Sequence, residues 1–359
     1  MNERSLMKGN EALAEAAVRA GCKCFFGYPI TPQTEISAYL SKRIPKIGGV
    51  FLQAESEIAA INMVYGCAGS GVRCMTSSSS PGISLKTEGI SYIAGADLPC
   101  VIVNVQRGGP GLGGIQPAQS DYNQVTKALG HGDFKVLVYA PGSVQEMADL
   151  TTKAFDMADL YRMPAVVLSD GLLGQMMEPV SFGEANSAQG DDTAGAAPAW
   201  AANGHGNKRE KNIINSLYLQ ADELENKVVE RFKRYKEIEG KHTLAENYET
   251  EDSEILVIAY GSTARIAKSA VRRAREQGIR AGCLRPITLW PFPKNEIVEA
   301  SKNAKKVLVV EMSMGQMKDD VRLALECKIP VEFYGRTGGV IPDPADILEK
   351  IKEMTGGGC

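Results

Sequence analysis

Histidine is scarce in this chain. His131, His205 and His242 are its three histidines, scattered and unpaired, and this argues against a zinc centre. No C-x-x-C occurs, and the C-x-x-C-x-x-C-x-x-x-C run that ligates an iron–sulfur cluster is absent. No metal site is therefore expected. No stretch reads as a Walker A loop. No apolar run approaches the ~18 residues needed to span a bilayer, and the N-terminal MNERSLMKGNEALAEAA lacks the apolar core of a signal peptide. Neither sign of charge is in excess: 40 Lys and Arg against 43 Asp and Glu leave a net charge of −3. Nothing in that balance calls for nucleic acid or an anionic membrane. A cytoplasmic location is expected.

What is present is a globular composition, 44% hydrophobic and 23% charged over 359 residues, long enough for two or three domains. Most of the eight cysteines (22, 24, 67, 74, 100, 283, 327 and 359) lie in apolar or strand-like settings, where a free thiol packs as a small hydrophobe. Cys22-Lys-Cys24 is a C-x-C on a strand and is read as packing. Cys359 closes a Gly-Gly-Gly tail and is read as a frayed terminus.

The first half alternates between strand and helix. Residues 5–20 show a helical pattern stopping at Gly21, and CKCFFGYP reads as a strand. Strand 49–56, helix 57–71, strand RCMTSSSS and helix 84–96 follow. LPCVIVNVQRGG (98–109) is a continuous apolar run, as expected of a strand buried on both faces. DYNQVTKAL (helix), KVLVYAPGS (strand), residues 144–162 (helix) and MPAVVLSDG (strand) complete the block. Repeated β–α units predict a parallel sheet covered by helices. Residues 184–208 are small and polar and read as a linker. Across 209–239, Ile213, Ile214, Leu217, Leu224, Val228, Phe232 and Tyr235 recur near helical spacing, predicting a connecting helix. A second α/β block begins at Glu254. The expected division is 1–182, a 183–250 linker with its helix, and 251–359.

Three residues follow strands of the first block. Thr31 lies in GYPITP, between prolines that stiffen the turn; it is either a helix N-cap or an aimed hydroxyl. Glu57 opens a helix, where an acid favours the free N–H groups. Arg107 ends the buried strand, where it suits a substrate carboxylate or a structural one. The polar run Thr76-Ser77-Ser78-Ser79-Ser80 ends a fourth strand. In parallel α/β sheets ligands bind at the carboxyl ends of strands, so one rim carrying an acid, an arginine and hydroxyls is a candidate active-site lip. A rival reading is the G-x-G-x-x-G at 109–114. Pro117 follows where its helix should be under way, and the expected acidic residue is missing.

Nine stretches together resemble one family. They are GYPITP (27–32), ESEIAAI (55–61), TSSSSPG (76–82), QRGGPGLGGIQP (106–117), GHGD (130–133), LSDGLLGQMMEP (168–179), AYGS (259–262), LRPITLWPFP (284–293) and VEMSMGQM (310–317). The chain resembles the subunit of a 2-oxoacid:ferredoxin oxidoreductase that carries the pyrimidine-binding and transketolase C-terminal-like domains. The likeness covers nearly everything except 183–210. It implies an α/β fold: a parallel-sheet thiamine-diphosphate pyrimidine-binding domain plus a smaller transketolase C-terminal-like domain. By that resemblance Glu57, rather than Glu55, holds the cofactor's aminopyrimidine; Pro29, Ile30 and Thr31 border the cofactor; Thr31 and Arg107 bind the 2-oxoacid.

The Gly-Asp-Gly of a diphosphate and Mg²⁺ site is absent, and Asp170-Gly171 lacks the leading glycine. The resemblance therefore implies that thiamine diphosphate is shared with a diphosphate-binding catalytic subunit, with Mg²⁺ and iron–sulfur clusters held on partners. A gamma-type subunit and a ferredoxin-like subunit are the other implied partners, with coenzyme A and ferredoxin as co-substrates. The loop after Arg107 looks more like the 3-methyl-2-oxobutanoate type than the 2-oxoglutarate type. A non-catalytic assembly subunit remains the alternative from another class, and a nucleotide-binding protein using the Gly109 loop is a second.

Overall fold

The computed structural model describes residues 4–183 and 198–356; Cys359 and most of the predicted linker lie outside the described residues. The strands are β1 (Arg4–Lys8), β2 (Cys24–Gly27), β3 (Val50–Gln53), β4 (Cys74–Ser78), β5 (Cys100–Gln106), β6 (Leu137–Tyr139), β7 (Pro164–Asp170), β8 (Met177–Ser181), β9 (Ala245–Tyr248), β10 (Ile255–Ile258), β11 (Ala281–Pro286), β12 (Thr288–Trp290), β13 (Lys306–Glu311) and β14 (Val331–Gly335). The helices are α1 (Gly9–Arg19), α2 (Thr34–Arg43), α3 (Glu57–Gly69), α4 (Ser80–Gly95), α5 (Tyr122–Thr126), α6 (Val144–Tyr161), α7 (Gly171–Gln175), α8 (Ala221–Lys241), α9 (Gly261–Glu276), α10 (Lys294–Ala300), α11 (Gln316–Ala324) and α12 (Pro344–Met354).

The larger sheet has the order β12-β6-β7-β5-β4-β2-β3. Its strands are parallel except β12, which runs antiparallel to β6. All seven residues of β5 and of β7 are buried, as their unbroken apolar character predicts. Helices α1, α2, α6 and α7 form one covering layer, and α3 packs on α4 in another. The second sheet, β14-β13-β10-β11-β9, is parallel except for β9. Helix α9 packs against α12 over it.

Four details depart from the sequence reading. Residues 4–8 form β1, paired antiparallel with β8 from Arg4↔Ser181 to Lys8↔Met177, so the first helix starts only at Gly9. Helix α4 starts at Ser80 rather than 84. The connecting helix is shorter than predicted and spans Ala221–Lys241. Before it the chain is irregular: Ile213 and Leu217 are 82% and 70% exposed, and Asn215 accepts the Leu217 N–H with its side chain. Alternate residues face the protein instead: Ile214 packs on the core and Ser216 lies against Gly95, which is extended rather than helical spacing. Finally, LRPITLWPFP is divided between the sheets. Its LRP ends β11, whereas TLW is β12, the edge strand of the larger sheet.

Candidate active site

The carboxyl ends of β5, β4, β2 and β3 are neighbours, and each feeds a loop carrying a candidate residue. The turn after β2 contains the cis Thr31–Pro32 bond. Gln33, not Thr31, is the N-cap position of α2, so the capping role open to Thr31 in the sequence is not the one it takes. The turn is clamped from three sides. Asn10, fully buried in α1, donates its amide to the Pro32 carbonyl at 2.9 Å. Ser77 donates to Gln33 Oε1 at 2.5 Å. Arg107 donates through one guanidinium nitrogen to the Thr31 carbonyl at 2.9 Å. The Thr31 side chain is left exposed at the rim, beside exposed Pro29 and half-buried Ile30.

Arg107 is buried at the end of β5. Its second terminal nitrogen donates to the Leu112 carbonyl at 3.1 Å, and its backbone N–H donates to Ser80 Oγ at 3.0 Å. Among the described residues it has no carboxylate partner, and its Nε is buried without an acceptor. The structural ion pair that the sequence left open is thus not formed there. Behind it Ser80 donates to Asp121 at 2.6 Å; burial raises the Asp121 carboxyl above its usual range.

Glu57 is the first residue of α3, after Ser56, whose hydroxyl caps the Ala59 N–H at 3.1 Å. It is 6% exposed, whereas Glu55 is on the surface. Among the described residues its carboxylate accepts no hydrogen bond. The carboxylate lies against the Cα of Gly82: a Cβ there would come within 2.6 Å of Glu57 Oε1 and 2.1 Å of Ser78 Oγ. Ser78 and Ser79 hydroxyls are buried and unpartnered. An acid, two hydroxyls and an arginine nitrogen, all without partners on one edge, await a polar ligand. A free carboxylate flanked by hydroxyls fits the edge of an aminopyrimidine, which presents a ring nitrogen and an amino group.

The structure adds residues the sequence did not single out. Asn10 and Gln33 hold the turn, and Asp121 anchors Ser80. Lys86, fully buried, donates to Thr76 Oγ1 at 2.5 Å and the Ser77 carbonyl at 3.3 Å. A lysine on a helix reads as surface until the packing of that helix is known.

The 109–114 loop does not serve as a dinucleotide site. It runs from β5 to an isolated bridge between Arg107 and Pro117, and no helix follows until α5, so no helix N-terminus faces a pyrophosphate. Asp170 is committed elsewhere: it accepts the Leu172 and Leu173 N–H groups and, at 2.6 Å, the Ser262 hydroxyl from the second block. Among the described residues no three His, Cys, Asp or Glu side chains converge as metal ligands.

Residues 15–240 match the family described as pyruvate flavodoxin/ferredoxin oxidoreductase, thiamine diphosphate-binding, and residues 253–347 match pyruvate:ferredoxin oxidoreductase core domain II. The chain is 50% identical over 351 residues to a ketoisovalerate oxidoreductase subunit VorB of Methanothermobacter thermautotrophicus, covering 98% of each chain. It is 35% identical to a 2-oxoglutarate synthase subunit KorA of the same organism, covering 99% of this chain and 100% of that one. Among solved structures, a 2-oxoglutarate:ferredoxin oxidoreductase from Magnetococcus marinus, with 2-oxoglutarate, coenzyme A and succinyl-CoA bound, superposes with a TM-score of 0.86 at 28% identity. That match covers 98% of this chain but only 65% of the solved one. An inactive β4 tetramer of a split-gene transketolase shares the fold alone, at 13% identity and a TM-score of 0.60.

Proposed function

The chain belongs to the pyruvate flavodoxin/ferredoxin oxidoreductase family, and from that premise we propose that it is the pyrimidine-binding subunit of an enzyme oxidising 3-methyl-2-oxobutanoate. The products would be the acyl-CoA and CO2, with the electrons passing to ferredoxin. The observation that carries this is Glu57: a buried, unpartnered carboxylate between Ser78 and Gly82, on the strand edge that also holds Thr31 and Arg107. The substrate choice follows the relative at 50% identity, a ketoisovalerate oxidoreductase subunit. The 2-oxoglutarate reading is the alternative, supported by the 35% relative and the solved neighbour.

Thiamine diphosphate, when bound, supplies the nucleophile and the electron sink for decarboxylation, and the protein supplies orientation and charge. Glu57 would hold a proton at the pyrimidine ring nitrogen. Thr31 would present its hydroxyl to the reacting carbon, with Pro29 and Ile30 beside it. Arg107 would receive the oxoacid carboxylate on the N–H groups not spent on Thr31 and Leu112.

Acting as one subunit of a larger enzyme, the chain would share its cofactor with a diphosphate-binding subunit that brings Mg²⁺. Iron–sulfur clusters would sit on the gamma-type or ferredoxin-like partners. Leu112 and Ile115, exposed in the loop after Arg107, give such a partner an apolar footing. The division into 1–182, a connecting segment and 251–359 belongs to the same proposal. Among the described residues no helix is long and apolar enough to cross a membrane.

The test is turnover by the purified native complex with thiamine diphosphate, coenzyme A and a viologen acceptor. Pyruvate, 2-oxoglutarate and 3-methyl-2-oxobutanoate are compared in wild type and Glu57→Ala. Turnover of 3-methyl-2-oxobutanoate, lost in the variant, is expected. A variant as active as wild type would instead make this a non-catalytic assembly subunit.

A further inference from the structure

The segment that leads into α8 carries a bare apolar row. From Lys211 to Leu219 exposure alternates residue by residue: even-numbered side chains turn to the protein and odd-numbered ones away from it. The inner set is held. Ile214 packs on the core, Ser216 lies against Gly95, and Asn212 donates to the Ala201 carbonyl at 3.0 Å. The outer set includes Ile213, Leu217 and Leu219, at 82%, 70% and 85% exposed. Helix α8 extends the same surface. Arg231 donates to the Gly95 carbonyl beside Ser216, so helix and row run side by side there, and Leu224 and Val229 are again exposed. Residues 221–226, the first turns of α8, are all exposed, although a helix gains most of its stability from packing. Single apolar residues on a surface need no explanation, but a contiguous patch marks a contact.

Nothing among the described residues covers this patch, and the sequence of 184–197, EANSAQGDDTAGAA, offers no apolar side chain larger than alanine. The patch also stands away from the candidate active site. Helix α3 starts at the rim with Glu57 and ends at Gly69, against Ile214. Its 13 residues span about 20 Å, so row and rim are separate surfaces. The charges that flank the row select its occupant. Ahead of it stand Lys208, Arg209 and Lys211 with Glu210; behind it stand Asp222, Glu223 and Glu225, and all are exposed. Arg209 is held by the Ala201 carbonyl and Asn203, which leaves Lys208 and Lys211 to face a partner. One end of the row is basic and the other acidic. A second copy of the row, turned end for end about a two-fold axis, sets each basic end against an acidic one and apolar against apolar. A parallel copy would set like against like. Such self-complementarity is what an isologous contact requires.

We propose that the outer row of residues 211–219, with the exposed start of α8, is a two-fold docking surface for a second copy of this chain, antiparallel and with its axis near Ser216. Ile213 and Leu219 of one copy then pack on Leu219 and Ile213 of the other, with Leu217 beside the axis. Lys208 and Lys211 of each copy meet Asp222, Glu223 and Glu225 of the other. The contact lies outside the chemistry of the rim, so it stands or falls apart from the reading of Glu57.

The experiment counts copies of this chain per particle by sedimentation equilibrium and light scattering, for the native complex and for the purified full chain. Wild type is expected to hold two copies. Leu217→Glu with Leu219→Glu puts like charges at the axis and should leave one, with the circular dichroism spectrum unchanged. Lys208→Glu with Lys211→Glu should raise the dissociation constant of the pair by about tenfold or more. Adding Glu223→Lys and Glu225→Lys to the same chain should restore it. Leu217→Cys, treated with a short bis-maleimide, should give a product of two copies of this chain beyond any that wild type forms through exposed Cys327. One copy per particle in wild type overturns the proposal. So does a pair that survives the glutamate variant, or a charge reversal without effect or without rescue. A Leu217→Cys chain that cross-links only to a different subunit overturns it too and gives the row to that subunit. If the glutamate variant does not fold, the cross-link and the charge rescue decide alone.

Discussion

The guanidinium of Arg107 donates to the carbonyl of Thr31 at 2.9 Å, across 76 residues of chain. The arginine that ends β5 thereby fixes the turn that ends β2, and two candidate substrate contacts move as one piece. Lysine cannot reproduce this, because one ammonium lacks the planar fork that reaches Thr31 and Leu112 together. Arg107→Lys should raise KM for the oxoacid by about ten- to a hundredfold, given ~1.5–3 kcal/mol for a charged hydrogen bond. Steady-state kinetics of the complex check this; an unchanged KM would remove Arg107 from the substrate.

Gly82→Ala tests the seat of Glu57. The added Cβ would meet Glu57 Oε1 at 2.6 Å and Ser78 Oγ at 2.1 Å, so the carboxylate has to move. Overpacking of this kind costs about 1–3 kcal/mol. Thiamine diphosphate affinity should fall together with the melting temperature. Affinity unchanged at lowered stability would mean that Glu57 is not the group that meets the pyrimidine.

Asn10 lies far from Thr31 in sequence but holds the next carbonyl, that of Pro32. Asn10→Ala removes a bond worth ~1 kcal/mol. It should lower kcat/KM by about fivefold, with the fold retained by circular dichroism.

Asp97 ties the first block to α8. It accepts from Arg231 at 2.9 Å and from Arg234 at 2.6 Å. Burial alone would raise its carboxyl, but hydrogen bonds and charge from Arg231 and Arg234 hold it below the usual range. Its stabilisation is therefore present above about pH 4 and is lost as the pH falls through the lowered value. Asp97→Asn leaves buried Arg231 without its counter-charge, a loss on the order of 3 kcal/mol. Thermal melts should show this penalty at neutral pH and shrink it in strong acid, where wild type has lost the same charge. A penalty equal at both would assign the effect to packing.

Thr31, Glu57 and Arg107 were legible because each stands at a strand's carboxyl end, and the strands announce themselves as apolar runs. Lys86 was not: it falls on the same helical stripe as Ile83 and Ile90, but a lysine reads as surface by its type, and only the fold brings Thr76 and Ser77 to its ammonium. β1 was masked by the helical pattern that follows it, since its pairing partner β8 is far along the chain. β12 is three residues long, too short to show a period. The predicted helix over 209–220 failed because the segment lies extended on the protein, with Ile214 turned inward and Ile213 and Leu217 outward. Asp170 looked like part of a broken metal motif and turned out to cap α7 and receive Ser262.

The split of LRPITLWPFP between two sheets limits how the protein can be dissected. The Ala140 N–H donates to the Ile287 carbonyl at 2.8 Å, and Trp290 packs edge-on against Tyr235 of α8. A fragment cut between α8 and β12 would keep α8 but strip the cover from β6, leaving its backbone groups open as a template for another chain. Such a fragment should be recovered in inclusion bodies rather than as a working half.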